Sequence, residues 1–126
     1  MLDSIFIILA LLFIKHWYID FVDQTNEEVA QKGNYLAWQG LKHSIKHGLA
    51  TFLILFLATD VTHVDAMALG LVDFLIHYHV DWFKMRFGEK DSTKNAYWIW
   101  FGADQLMHQL TYITVIYFMI TVFYPN

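Results

Sequence analysis

Four pairs of side chains able to ligate a metal recur along the chain at four-residue spacing: His16 with Asp20, His43 with His47, His77 with Asp81, and Asp104 with His108. On a helix, residues four apart lie on one face about a turn apart, so each pair can aim two ligands in one direction. The pairs also repeat. Subtraction gives 77 − 16 = 61, 81 − 20 = 61, 104 − 43 = 61 and 108 − 47 = 61, so the second half reproduces the first with Asp104 in place of His43. Five imidazoles and three carboxylates converging from four helices predict a site for about two divalent ions.

Imidazole mixed with carboxylate favours zinc or manganese, with iron as the alternative, over calcium, which takes oxygen alone. Three carboxylates against two dications leave roughly one positive charge for an anionic substrate to neutralise. Two such ions about 3.5–4 Å apart can activate a water and stabilise the leaving oxygen of a displacement. Two further residues are candidate catalytic groups. Asp73 lies four before His77 and is expected to be a further ligand, a base or an orienter of an imidazole. Lys84 lies three past Asp81 and is expected to grip substrate charge, unless it only pairs with Asp81 or snorkels. Gln24 and Gln105 can hydrogen-bond ligands or substrate. Lys15, Lys42 and Lys46 read as snorkelling lysines, and His63 and His79 fall outside the set.

The elements that must position these residues are apolar. The chain has 126 residues, of which 57% are hydrophobic and 18% aromatic, with one proline, which is too apolar for a soluble domain of this size. It reads as one domain, residues 1–126, without a linker. Apolar stretches near 5–14, 48–58, 67–75 and 110–123 become long enough to cross a bilayer only when extended through the neighbouring ligand pairs. That predicts an all-α bundle of four transmembrane helices near 3–22, 40–59, 64–84 and 96–124, built as two repeated hairpins. The run Leu49–Ala58 is apolar nearly all round, which argues against a soluble bundle. The opening Met1-Leu2-Asp3 lacks the basic region of a cleaved signal peptide.

Charge sets the orientation. Lys15, Lys32, Lys42 and Lys46 flank the first connection, and Lys84, Arg86, Lys90 and Lys94 flank the third. The second, about Asp60–Asp65, carries no Lys or Arg, and neither terminus does. Connections one and three are therefore expected in the cytoplasm and both termini outside. The five tryptophans lie toward the basic side, as an interfacial belt would. Helices one and three then carry their pairs near their ends, and helices two and four near their beginnings. All eight ligands meet at one depth, in the cytoplasmic half. Within connection one, Thr25-Asn-Glu-Glu28 reads as a capping box opening a short helix and Gly33-Asn34 as its stop. A net charge of −4 without a basic patch argues against nucleic acid, and the absence of cysteine excludes disulfides, thiolate metal sites and cysteine nucleophiles.

The strings His16-Trp-Tyr-Ile-Asp-Phe-Val-Asp-Gln24, His77-Tyr-His-Val-Asp-Trp-Phe-Lys84 and Asp104-Gln-Leu-Met-His108 resemble the signature segments of the domain-of-unknown-function 3307 family. The resemblance runs over the whole chain and implies a small integral protein of a bacterial inner membrane. It implies no activity. His16/Asp20 and His77/Asp81 are more loosely similar to His-x3-Asp pairs of zinc-dependent phospholipases C and predicted membrane-bound metal-dependent hydrolases. That looser likeness implies phosphoester chemistry by analogy only.

The leading expectation is a di-metal hydrolase of a phosphoester or lipid-linked anionic substrate at the cytoplasmic face, its partners being the bilayer and that substrate. A di-iron hydroxylase or desaturase is the first alternative, although three aspartates and a single His-x3-His count against it. A transporter would need a through-path, yet the outer halves of helices two and four are almost wholly apolar. A non-catalytic protein clamped by its metal is the third alternative. Whether a homodimer completes the pocket is left open.

Overall fold

The computed structural model describes residues 2–122, with side chains from Ser4 onward, and is all-helical, with no strand among the described residues. Helix α1 (Leu2–Trp17) runs on into a π-helical turn, Tyr18–Asp23. A short helix α2 (Asn26–Gln31) precedes three long ones: α3 (Trp38–Ala58), α4 (His63–Phe87) and α5 (Asn95–Thr121). The sequence-based end of the last helix, at 124, lies outside the described residues.

The short helix has the local chemistry its sequence requires. The Thr25 hydroxyl accepts from the Glu28 amide at 3.2 Å, and the Glu28 carboxylate accepts from the Thr25 amide at 3.1 Å. The stop differs from expectation. Gly33 does not adopt the left-handed conformation, which falls instead on Leu36 at φ 62°. Its amide donates to the Tyr78 hydroxyl at 2.6 Å, a buried anchor that offsets the strain. Gly33 packs on α4, where a Cβ would sit in ordinary contact with the Met85 carbonyl oxygen at 3.4 Å.

The four long helices form a ring in the order α1, α3, α4, α5, with the diagonals α1/α4 and α3/α5 not in close backbone contact. Exchanging α1 with α4 and α3 with α5 leaves that order unchanged, as two repeated hairpins require. A four-residue connection, Thr59–Thr62, forces α3 and α4 to be antiparallel neighbours, and the Thr62 hydroxyl caps α4 by accepting from the Asp65 amide. These two helices make the closest approach in the ring. A Cβ on Gly48 would lie 2.8 Å from the Gly70 carbonyl oxygen, and one on Gly70 would lie 2.6 Å from the Gly48 oxygen. Glycine at both positions is what lets the backbones touch.

The apolar core lies at one end only. Ile8, Leu12, Leu55, Leu69, Tyr112 and Val115 pack together toward the connection between α3 and α4. At the other end the interior is polar, and large apolar side chains face outward on every long helix: Phe6 is 66% exposed, Leu57 76% and Ile113 53%. One segment of the described residues, Ser4–Asp23, is long and apolar enough to cross a membrane by length and composition. The expected four spans do not all meet that test. Helices α3, α4 and α5 carry His, Asp, Lys and Gln inside their apolar lengths, which lowers their mean hydropathy.

Candidate metal centre

All eight paired residues are buried in the polar end of the ring. Helical spacing brings each pair to one face, and the ring turns the four faces inward. They fall into overlapping groups whose ligand-type atoms lie within 4.8 Å of one another: Asp20, His43, His47 and His77; then His16, His77 and His108; then Asp81, Asp104 and His108. Applying the 61-residue offset to Asp20, His43 and His47 yields Asp81, Asp104 and His108, so the first and third groups are repeat images. His77, the fourth member of the first group, comes from the opposite half.

The first group centres on Asp20. Its Oδ1 lies 2.9 Å from His43 Nε2, 2.9 Å from His47 Nε2 and 3.7 Å from His77 Nε2. The imidazoles of His47 and His77 stack at 3.5 Å between centroids, and those of His77 and His108 at 4.0 Å. In the carboxylate-rich group, His108 Nε2 lies 3.2 Å from Asp81 Oδ1 and 3.4 Å from Asp104 Oδ1. His16 sits between the groups, 3.3 Å from Asp20 Oδ2, with its Nδ1 2.9 Å from the Tyr112 hydroxyl and its Nε2 3.0 Å from Gln105 Oε1.

The donor set fits divalent cations. Both ring nitrogens of His77 and Oδ1 of Asp104 are buried without a hydrogen-bond partner among the described residues, an expensive arrangement that a cation would relieve. Beyond the ligand atoms, the Glu28 carboxylate lies 3.8 Å from His43 Nδ1, near it but beyond hydrogen-bond distance. Burial raises the Glu28 pKa, but the Lys46 ammonium at 2.9 Å and the Thr25 amide outweigh it and hold the carboxyl below its ordinary range. One feature fits less well. With Nε2 of His47 on a cation, its Nδ1 would keep the proton, yet it faces Lys15 Nζ at 3.3 Å. Lys15 also reaches Asp73 and the His47 carbonyl oxygen, which can hold it instead.

The two candidate catalytic residues occupy different places. Asp73 is buried beyond the ligands, accepting from Lys15 Nζ at 2.6 Å and from the Thr51 hydroxyl at 2.6 Å. Lys84 lies at the margin, with Nζ 3.3 Å from Asp104 Oδ2. It borders a polar cavity of about 70 Å³ together with Asp20, Gln24, Lys32, Asp81 and Asp104. Gln24 donates to the Asp20 carbonyl oxygen and accepts from Lys32, and Gln105 donates to Asp104 at 3.1 Å.

Sequence reasoning missed several participants. Lys15 does not snorkel: it is buried, with its ammonium 2.6 Å from the Asp73 carboxylate across the ring. Lys32, behind the α2 cap, reaches Asp81 Oδ2 at 2.8 Å. Tyr112 meets His16, and Glu28 lies near His43. Tyr112 carried one signal, since it lies four past His108 as Thr51 lies four past His47. His79 is turned away from the centre and meets the Tyr35 hydroxyl at 3.2 Å.

No curated protein and no solved structure matches the chain. A family model described as "Protein of unknown function (DUF3307)" matches residues 8–126, nearly the whole length, and the chain belongs to that family.

Proposed function

We propose that this protein is a membrane-embedded di-metal hydrolase of a phosphoester or similar anionic bond. The observation that carries the reading is the pair of buried ligand groups related by the repeat. Both contribute carboxylates, Asp20 from one and Asp81 and Asp104 from the other, to a cavity also lined by two lysines. Asp20, His43, His47 and His77 would hold one ion, and Asp81, Asp104 and His108 the other. The bound ions would supply a Lewis acid and an activated water. Lys84 and Lys32 would receive the negative charge of the substrate. Asp73, held by Lys15 and Thr51, would orient the imidazole-rich group from behind rather than meet the substrate.

A membrane setting is supported by the inverted distribution of polarity. Contiguous outward apolar side chains on α1, α3, α4 and α5 would be an aggregation hazard in water and are the normal lipid-facing surface of a bundle. Intramembrane ionisable groups face the interior, as these do. Four spans, with connections one and three on the cytoplasmic side, satisfy both the apolar surface and the lysine distribution.

The test is the metal content of protein purified in mild detergent without added metal or chelator, beside an Asp20→Ala/Asp81→Ala variant. About two zinc or manganese ions per chain, lost in the variant, followed by turnover of a phosphoester panel, is the expected result. Iron at that ratio would redirect the reading to redox chemistry. No metal in either protein, with the variant still folded, would sink it. One observation favours a second reading, a metal clamp without catalysis: the first group already offers four protein ligands, the number of a closed structural site. Metal without turnover of any substrate would select the clamp.

A further inference from the structure

On the outer face of the ring, α4 and α5 flank an open apolar groove of about 640 Å³, a volume within the range of ligand-binding sites. Leu75, Ile76, Val80, Phe83 and Met107 line it, and Trp100 stands at the same end as Phe83, their rings 5.9 Å apart. Three of its lining residues are polar, His79, Lys84 and Asp104, and the last two also border the small cavity beside the carboxylate-rich ligand group. The apolar groove and the candidate centre therefore share a partition made of a cation and a candidate ligand. The other apolar groove, about 270 Å³ over the Gly48/Gly70 crossing, has no charged residue in its lining.

We propose that the α4/α5 groove holds the hydrocarbon chain of a membrane amphiphile whose phosphate headgroup reaches Lys84, so that the substrate is a lipid phosphoester. The inference rests on the hydrolase reading and names its substrate class. Length agrees with it. From Leu75 to Lys84 the helix rises about 13 Å, close to the roughly 15 Å depth of one leaflet. Charge agrees as well. Lys84 and Lys32 are paired with Asp104 and Asp81. With cations taking up those carboxylates, as the hydrolase reading requires, both ammoniums would be free to meet an anionic headgroup. A water-soluble phosphoester would have no use for the apolar wall.

The experiment is photo-crosslinking of a monoacylglycerol phosphate bearing a diazirine on its acyl chain to the full-length protein in lipid nanodiscs, with labelled peptides mapped by mass spectrometry. Metal content is measured on the same sample. Labels are expected along 75–83 and 100–107 and not at the Gly48/Gly70 groove. Labelling should fall about tenfold for the phosphate-free monoacylglycerol and for Lys84→Gln, the loss of one charge-assisted contact. Leu75→Trp, at an outward position of the wall, should reduce it by obstruction. Equal labelling by the phosphate-free probe, or labels spread over both grooves, would overturn the inference. Two metals without groove labelling would remove the lipid substrate and leave the metal reading standing. Groove labelling without metal would remove the hydrolase and leave a lipid-binding groove.

Discussion

The two repeat-related ligand groups share one spacing and differ in almost everything around it. The first has three imidazoles and one carboxylate, stacked rings, and the buried charges of Glu28 and Lys15 close behind its histidines. Its image has two carboxylates and one imidazole, gives two residues to the wall of the small cavity where the first gives only Asp20, and is approached by Lys32 and Lys84. The exchange of His43 for Asp104 makes one group nitrogen-rich and the other oxygen-rich, which favours different ions at each. A second contrast lies beneath the ligands. The offset maps Lys15 onto Ile76 and Asp73 onto Leu12, so a buried ion pair in one place corresponds to two aliphatic side chains in the other. Duplication gives two candidate ligand groups; the surrounding exchanges make them unequal.

Separating the groups should produce the largest effect. Asp20→Asn is expected to lose the ion of the nitrogen-rich group and Asp81→Asn that of the oxygen-rich group, each with an affinity loss of about 100-fold or more by equilibrium dialysis. Loss of both ions from either variant would show that the groups bind as one unit. Next comes the ion pair. Lys15→Ile should cost about 3–5 kcal/mol in detergent unfolding by leaving Asp73 charged and unpaired, whereas Lys15→Ile/Asp73→Leu, which copies the aliphatic version, should recover most of it. A double variant no better than the single would mean that the pair does more than neutralise itself.

The crossing of α3 and α4 can be set against its repeat image. Gly48→Ala should cost about 1–3 kcal/mol because its Cβ collides with the Gly70 carbonyl, while Gln109→Ala, at the equivalent place on α5, should change stability by about 0.5 kcal/mol or less. Equal losses would deny the difference between the two interfaces. The smallest effect belongs to the cap of α2. Thr25→Ala should cost about 1 kcal/mol. Glu28 adds a pH dependence whose sign follows from its depressed pKa: its contribution is complete above the ordinary carboxylate range and is lost as pH falls through the lowered value. A Glu28→Gln variant should flatten that acid limb relative to the parent protein.

Helical periodicity makes the all-helical class legible, and four-residue spacing marks the His and Asp residues because both are local properties of a helix. The capping box is equally local, needing only Thr25 and Glu28. Lys15 with Asp73, and Lys32 with Asp81, are contacts between segments 58 and 49 residues apart (73 − 15 and 81 − 32), which no window along the chain contains. The same holds for Gly48 against Gly70: each glycine is unremarkable until the short α3–α4 connection aligns them. Lysine beside an apolar run suggests snorkelling until an acidic partner inside the ring is known.

The π-helical turn at Tyr18–Asp23 has a kinetic consequence. Asp20 hangs from this turn, whereas its counterpart Asp81 hangs from uninterrupted α-helix. A π turn is a strained interruption of the i→i−4 ladder, so its amides should exchange with deuterium sooner than those of residues 79–84. That places the weakest backbone of the centre beneath the carboxylate that gathers three imidazoles. An ion enclosed there would leave or arrive only as its cage opens, and the π turn would let the main chain of one wall supply that opening. The nitrogen-rich group would then hold its ion tightly yet load it at a rate set by the unwinding of about one turn of helix.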